Sequence, residues 1–468
     1  MTSSTPLGAI VPQHLVLVLP STGEFDSRTY RIATTAIARG HQVTVIARAQ
    51  GGLPTEELHP AGYRILRVAA STADGLPLPG VRGWIGRLLR RRRGLPATTV
   101  AAGPSDDGGA GGGPDDGGVS ASATTPEAGA GRRASLPRRA LAGLIRRLAI
   151  PLTIRSHRNN ARAVAPRGDL YHGMAYMGIP VALGLGARDG APVVYDARDI
   201  YVHARNIARL PGPARRLFRR VERRWARSAK RVMTVNRPYA DVMARSFGVP
   251  LPAIVMNCSY RREPPATAPR RFHEALALGP TARVVLYQGG LAPDRGIEQL
   301  IEALPSLAGN VHLCLLGYGP LEPNFVAEAR RDVHRGRLHV LPAVPPDDLL
   351  EWVASADIVA MPIQPSTLNH RLTTPNKLFE AMAAGVPVVA SDLPGMAPIV
   401  GETGCGVVCD PTDPAAIADA VRSIFALPAA ERKAMAGRAL AAAAGPYSWE
   451  AQVEVLLAEY GRLTGRPW

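Results

Sequence analysis

The chain has little cysteine, few aromatic residues and no long apolar run. Its four cysteines, at 258, 314, 405 and 409, give no disulfide framework. Cys405 and Cys409 lack the second ligand pair that a zinc site needs. A reducing, cytosolic setting fits this usage. No apolar stretch reaches bilayer-spanning length, which argues against a transmembrane helix. The N-terminus has no charged region followed by an apolar run and a cleavage site, so no signal peptide is expected. No nucleic-acid reading motif accompanies the arginines, so a nucleic-acid partner is raised by charge alone and ranks low.

What is present is a long, basic, alanine- and glycine-rich chain. Its 468 residues exceed one ordinary core, so two or three domains are expected. Hydrophobic residues make up 46%, which suits a globular protein. A net charge of +17 points to an acidic partner: a membrane surface, nucleic acid or a phosphorylated substrate.

Short apolar runs alternate with helical patterns. "HLVLVLP" (14–20) reads as a buried strand, "DSRTYRIATTAIAR" as a helix closed by Gly40, and "HQVTVIA" (41–47) as a second strand. "YRILRVA" (63–69), "GDLYH" (168–172), "APVVYDA" (191–197) and "RVMTVN" (231–236) continue the rhythm. A second series starts near residue 282 with "ARVVLYQGG", the helix "DRGIEQLIEALPSL" and "VHLCLLGYG", and adds "RLHVLP", "ADIVAMP" and "VPVVAS". The fold class is α/β: two Rossmann-like, doubly wound parallel-sheet domains facing across a cleft. We expect a first domain over 1–262, a second over 263–446, and a C-terminal helix over 447–468.

The stretch 94–135 is rich in glycine, alanine and aspartate, has almost nothing to bury, and is expected to be a disordered insert in the first domain. Its flanks, 81–93 and 136–149, are basic and amphipathic. Arginine around an apolar stripe with Trp84 suits a helix lying on anionic lipid. It equally suits a solvated helix packing its stripe on the domain. The arginine-rich helix 214–231 reads as a solvated domain helix.

"TTPNKLFEAMAAGVPVVAS" (373–391) concentrates the chemistry. Thr374 reads as an N-cap, Pro375 as the first helical residue and Gly385 as the terminator. Lys377 and Glu380 share one helix face, while Leu378, Phe379 and Met382 point to the sheet. A helix N-terminus with a lysine suits phosphate, and a glutamate one turn deeper accepts hydroxyl hydrogen bonds. A nucleotide diphosphate offers both. An ordinary surface Lys–Glu pair is the plain alternative.

This segment resembles the nucleotide-sugar motif of retaining glycosyltransferases of the GT-B fold, in glycosyltransferase family 4. "VLYQGGLAPDRGIEQLIEAL", "LLGYGP" and "DSRTYRIATTAIARGHQVTVIA" resemble further segments of that family. So does "YSWEAQVEVLLAEY" (447–460), which there often crosses back to the first domain. The resemblance implies transfer of a sugar from a UDP- or GDP-sugar to an acceptor hydroxyl, with no metal or other cofactor. The acceptor would be a glycan or a lipid-linked molecule, met at a cytoplasmic, peripheral membrane site. It implies donor binding by Gly289, Gly290, Arg295, Gly317, Asn369, Thr374, Lys377, Leu378 and Glu380. Glu380 would hold the ribose hydroxyls and Arg295, before Gly296, the phosphate; Arg295, Glu380 and Arg198 are the catalytic candidates. An arginine keeps the charge of the family's lysine and adds a fork. Gly23, Asp26, Arg28 and His172 are acceptor-side candidates; Asp26 and Arg28 equally suit a helix start, and His172 a hydrogen-bonded structural role.

Three positions depart from the family pattern. Gly290 stands where an arginine is usual, Leu372 where a glutamate faces the transferred sugar, and Arg198 where many relatives have histidine. Asn369 or His370 would have to supply a polar group in place of that glutamate. Arginine cannot act as a base, but it can hold a phosphate or pair with Asp196 or Asp199. Two other readings stay open: a different GT-B enzyme such as a nucleotide-sugar epimerase, or a non-catalytic relative that binds a nucleotide or scaffolds a synthase.

Overall fold

The computed structural model describes residues 11–24, 26–71, 136–263 and 269–468, with the backbone only for 136–149 and 205–206. The expected insert 94–135 and the basic segment 81–93 lie outside the described residues, as do the side chains of 136–149.

The first sheet contains β1 (His14–Val18), β2 (Gln42–Arg48), β3 (Glu56–Leu58), β4 (Arg64–Val68), β5 (Leu170–Met174), β6 (Val193–Asp196), β7 (Arg231–Thr234) and β8 (Ala253–Ile254). Their order is β3-β4-β2-β1-β5-β6-β7-β8. Only β3 runs antiparallel to its neighbour. Strand β1 shows why the run is apolar throughout. Val16 and Val18 enter one core, Leu15 and Leu17 the core on the opposite face. A strand covered on both faces has no polar side to alternate with.

The second sheet contains β9 (Arg283–Gln288), β10 (Val311–Leu316), β11 (Leu338–Leu341), β12 (Ile358–Met361), β13 (Val388–Ser391) and β14 (Gly406–Cys409). Their order is β11-β10-β9-β12-β13-β14, all parallel. Again the strand faces split, with Val284 and Leu286 in one core and Val285 and Tyr287 in the other. The expected doubly wound pair is therefore present. Strand order reverses between β1 and β5 and between β9 and β12, which opens a crevice at the carboxyl ends of those strands.

Helices place the remaining parts. Helix α1 (Ser27–Ala38) is capped by Asp26, whose carboxylate accepts from the Thr29 amide at 2.9 Å. Helix α2 (Leu136–Val164) is much longer than the 136–149 segment read from the sequence. Its C-terminal end leads to the start of β5, and Asn160 donates to the Ala69 carbonyl just past β4. Helix α3 (Ala175–Asp189) follows β5 directly, and α4 (Gly212–Ser228) carries the arginine-rich sequence. In the second lobe α5 (Ile297–Ala303) follows β9 and α6 (Asn376–Ala384) follows β12. The final helix, α7 (Trp449–Thr464), packs on the first lobe: Trp449, Leu456 and Tyr460 share a core with Leu15, Leu17 and Ile32. Trp449 Nε1 also donates to Thr35 Oγ1 at 3.0 Å. Among the described residues no helix is long and apolar enough to cross a membrane.

Helix α4 turns Phe218, Glu222 and Ala226 inward. Glu222 is almost wholly buried and accepts from Tyr195 OH at 2.8 Å. Burial pushes its carboxyl up from 4.5 to about 8. The folded state therefore holds a proton between those values that the unfolded chain releases. That stability is complete below pH 4.5 and is lost as pH rises through about 8, at a limiting slope of about 1.4 kcal/mol per unit. Glu222→Gln should flatten the melting temperature between pH 5 and 8, as read by scanning calorimetry; an unchanged slope would remove Glu222 as its source.

Candidate active site

Three loops of the second lobe are pressed together by backbone contact. Gly317 allows the β10 loop to meet the β9 loop: a Cβ there would lie 2.1 Å from the Gly289 carbonyl oxygen. Gly296, at φ +74°, would place a Cβ 1.8 Å from the Pro362 oxygen. The Gln364 amide donates to the Asp294 carbonyl at 3.1 Å. Arg295, between Asp294 and Gly296, is thereby fixed at the crevice between β9 and β12. Gly290 contributes its carbonyl, which accepts from Tyr287 OH at 3.0 Å.

Helix α6 starts one residue later than its sequence suggests. Pro375 is the extended capping residue and no side chain caps the helix. The Thr374 hydroxyl is engaged elsewhere: it donates to the Gly395 carbonyl at 2.5 Å and accepts from Asn236 Nδ2 at 3.0 Å. Leu378 is fully buried, so its side chain belongs to the core and not to a ligand surface. Lys377 is only 2% exposed, with Nζ 3.8 Å from the centre of the Tyr287 ring. A cation on a ring face is favoured most where water is excluded. Glu380 is half-buried, and its Oε2 lies 3.4 Å from Gln288 Nε2. Its charge reaches Arg31 of α1 in the opposite lobe. Burial lowers the Arg31 pKa, and Glu380 is the largest charge opposing that shift.

The first lobe answers with the loop after β6. Arg198 Nη1 lies 3.1 Å from Asp26 Oδ1, so the cap of α1 also holds this guanidinium. Asp199 is nearly buried, and burial raises its pKa; Asn369, Arg198 and Arg295 act in the opposite direction. Asp199 thus lies within reach of cations from both lobes. Gly23, at φ +84°, forms the turn after β1 that leads to Asp26.

Two acceptor-side candidates do not reach the crevice surface. Arg28 and His172 are both 0% exposed. Arg28 Nε donates to Asp196 Oδ2 at 2.6 Å and Nη1 donates to the Val255 carbonyl at 2.8 Å. His172 Nε2 lies 3.2 Å from Asp196 Oδ2, and its Nδ1 lies 2.7 Å from Tyr460 OH. Burial alone would raise the Asp196 pKa, but Arg28 and His172 outweigh it and hold the carboxylate ionised well below the usual range. The two residues build the floor of the lobe. Asn369 is likewise no free sugar ligand: it is 1% exposed and its amide is spent on Asp199 and Ile200. Sequence reasoning treated Asp199 only as a flank of Arg198, and nothing in it signalled Arg31, Asn236 or Tyr239, whose hydroxyl donates to the Asn369 carbonyl. Among the described residues no three His, Cys, Asp or Glu side chains gather as a metal site.

Across almost the whole chain, the backbone matches solved structures. Sucrose-phosphate synthase from Thermosynechococcus elongatus superposes with a TM-score of 0.66 at 18% identity, covering 97% of this chain and 99% of that one. HepE from Anabaena, solved with UDP, gives 0.60 at 17% identity, covering 96% and 100%. The fold is GT-B. Within it, residues 282–426 match the family described as "Glycosyl transferases group 1". A D-inositol 3-phosphate glycosyltransferase from Xylanimonas cellulosilytica is 30% identical over 205 residues, 43% of this chain and 47% of that protein. A glycogen synthase from Mycobacterium tuberculosis is 31% identical over 158 residues, 33% of this chain and 37% of that protein. The chain thus spans about half or less of the curated relatives it matches.

Removing Arg28 should be far more damaging than its distance from the crevice suggests. Arg28→Met leaves Asp196 buried with its main cation gone, which costs about 3–5 kcal/mol. Denaturant unfolding of the variant measures this; a loss below about 1 kcal/mol would show that Asp196 is hydrated.

Proposed function

We propose that the protein is a retaining glycosyltransferase that moves a sugar from a UDP- or GDP-sugar to an acceptor hydroxyl without a metal. The observation that carries this reading is the pairing of charges across the crevice. Arg295 stands on the loop after β9 and Glu380 in α6, after the adjacent strand β12, and the charge of each reaches a residue of the opposite lobe, Asp199 and Arg31. A carboxylate there suits a ribose diol, and a guanidinium suits a diphosphate whose charge grows as it leaves. Arg198 adds a second cation from the first lobe. Similarity over 282–426 to glycosyltransferases, and the UDP-glucose complex of HepE, support the donor class. We favour a front-side path for retention, because the motif residues offer no carboxylate as nucleophile.

The acceptor is a glycan or a lipid-linked molecule at an anionic membrane surface. The basic, amphipathic start of helix α2, with Arg138, Arg139, Arg146 and Arg147, supports that placement. A non-catalytic GT-B protein is the second reading, favoured by Leu372 and by the sequestration of Asn369.

Thermal-shift screening with UDP- and GDP-sugars should reveal the donor, because a ligand at a hundred times its Kd adds about 2.7 kcal/mol. With that donor, Arg295→Gln should lower kcat by about 100-fold or more. Glu380→Ala should chiefly raise the donor KM, by about tenfold. A stable protein that neither shifts with nor turns over any such donor would leave the second reading.

A further inference from the structure

Asn369 is carried by the second lobe but spends its side chain on the first. Its Oδ1 accepts from the Ile200 amide at 2.8 Å, and its Nδ2 donates to Asp199 Oδ1 at 3.0 Å. Its own carbonyl accepts from Tyr239 OH at 2.8 Å. Three residues later Asn236 Nδ2 donates to the Leu372 carbonyl at 2.7 Å. Leu368 and Leu372 pack against the first-lobe core on either side of it. The orientation of the amide is forced: reversed, it would set oxygen against carboxylate and N–H against N–H. Only a group that donates on one side and accepts on the other fits between Asp199 and the Ile200 amide.

Each end of this contact leads to the reactive groups. Residues 370–375 lead from Asn369 into α6 and Glu380. Asp199 adjoins Arg198 and feels Arg295. We propose that Asn369 is a positioning residue, a peg between the lobes that sets the spacing of Arg198 and Arg295 without touching the donor. A buried carboxylate and a buried amide are tolerated only when paired. A partly seated loop therefore leaves both desolvated and unsatisfied, whereas the fully seated one satisfies both. The peg selects one lobe separation out of many. This inference rests on the glycosyltransferase reading for its kinetic arm, but its structural arm does not.

The test uses the full chain and a swap. Asn369→Asp keeps an acceptor for the Ile200 amide but sets two carboxylates face to face. Turnover should fall by about 100-fold, since like charges set face to face are strongly disfavoured. The Kd of the donor found by thermal shift, or of UDP alone, should move less than about threefold, within the spread of an untouched site. Small-angle scattering should show a larger radius of gyration than the native chain. Adding Asp199→Asn restores a donor opposite an acceptor with the roles exchanged. The double variant should regain the native scattering and the turnover of Asp199→Asn alone. The proposal is overturned if the double variant stays as open and slow as Asn369→Asp, if Asn369→Asp scatters like the native chain, or if its donor affinity falls in step with turnover. The last result would make Asn369 a donor ligand. If no nucleotide sugar is turned over by the native chain, the functional reading fails while the scattering comparison still decides the peg.

Discussion

A guanidinium and a carboxylate sealed from water, Arg28 and Asp196, hold the first lobe in register. Four elements meet there: Arg28 stands on α1, Asp196 ends β6, His172 lies in β5, and Tyr460 arrives on α7. A lone buried carboxylate would be driven to protonate; with Arg28 and His172 beside it, it stays charged. Such networks are sharp in their geometric demands, because every member left unpaired costs several kcal/mol. The loop that begins at Ala197 therefore leaves β6 from a fixed point. Arg198 and Asp199 inherit that fixity, with Asp26, the cap of α1, holding Arg198 from the side.

The second lobe reaches its rigidity differently. Its crevice loops are held by backbone crowding, in which Gly296 and Gly317 let three loops lie closer than any side chain permits. Arg295 gains its position from that crowding and Glu380 from a helix whose inner face is packed on the sheet. The two lobes thus present stiff edges, one locked by electrostatics and one by sterics. The segment around Asn369 supplies specific contacts between them.

The architecture was largely readable in the residues. Strands covered on both faces are written as apolar runs, so His14–Val18 and Arg283–Gln288 fall within the stretches expected for them. What escaped were short strands at the sheet edges. Strand β3 is Glu56–Leu58, short and charged; β8 is two residues long; β14 is the four residues Gly406–Cys409. The start of α6 slipped by one because the Thr374 hydroxyl has partners at Gly395 and Asn236, which local propensity does not see. Site chemistry was legible only as loops and charges. Arg28 pairs across 168 positions and His172 across 288, so nothing near either residue announced that it would be buried. Asn369 looked like a polar loop residue for the same reason, its partners lying about 170 positions earlier.

The return of α7 to the first lobe has a bearing on how the molecule is made. Trp449, Val453, Leu456, Leu457 and Tyr460 complete a core whose other members, such as Leu15, Leu17 and Val45, leave the ribosome more than 380 residues earlier. Throughout synthesis of the whole second lobe, the nascent first lobe carries an uncovered greasy wall and a histidine awaiting its phenol. The second lobe, whose strands and helices follow one another closely, has no comparable wait. Assembly in the cell then runs against the order of translation: the half that is made first is the half that is finished last.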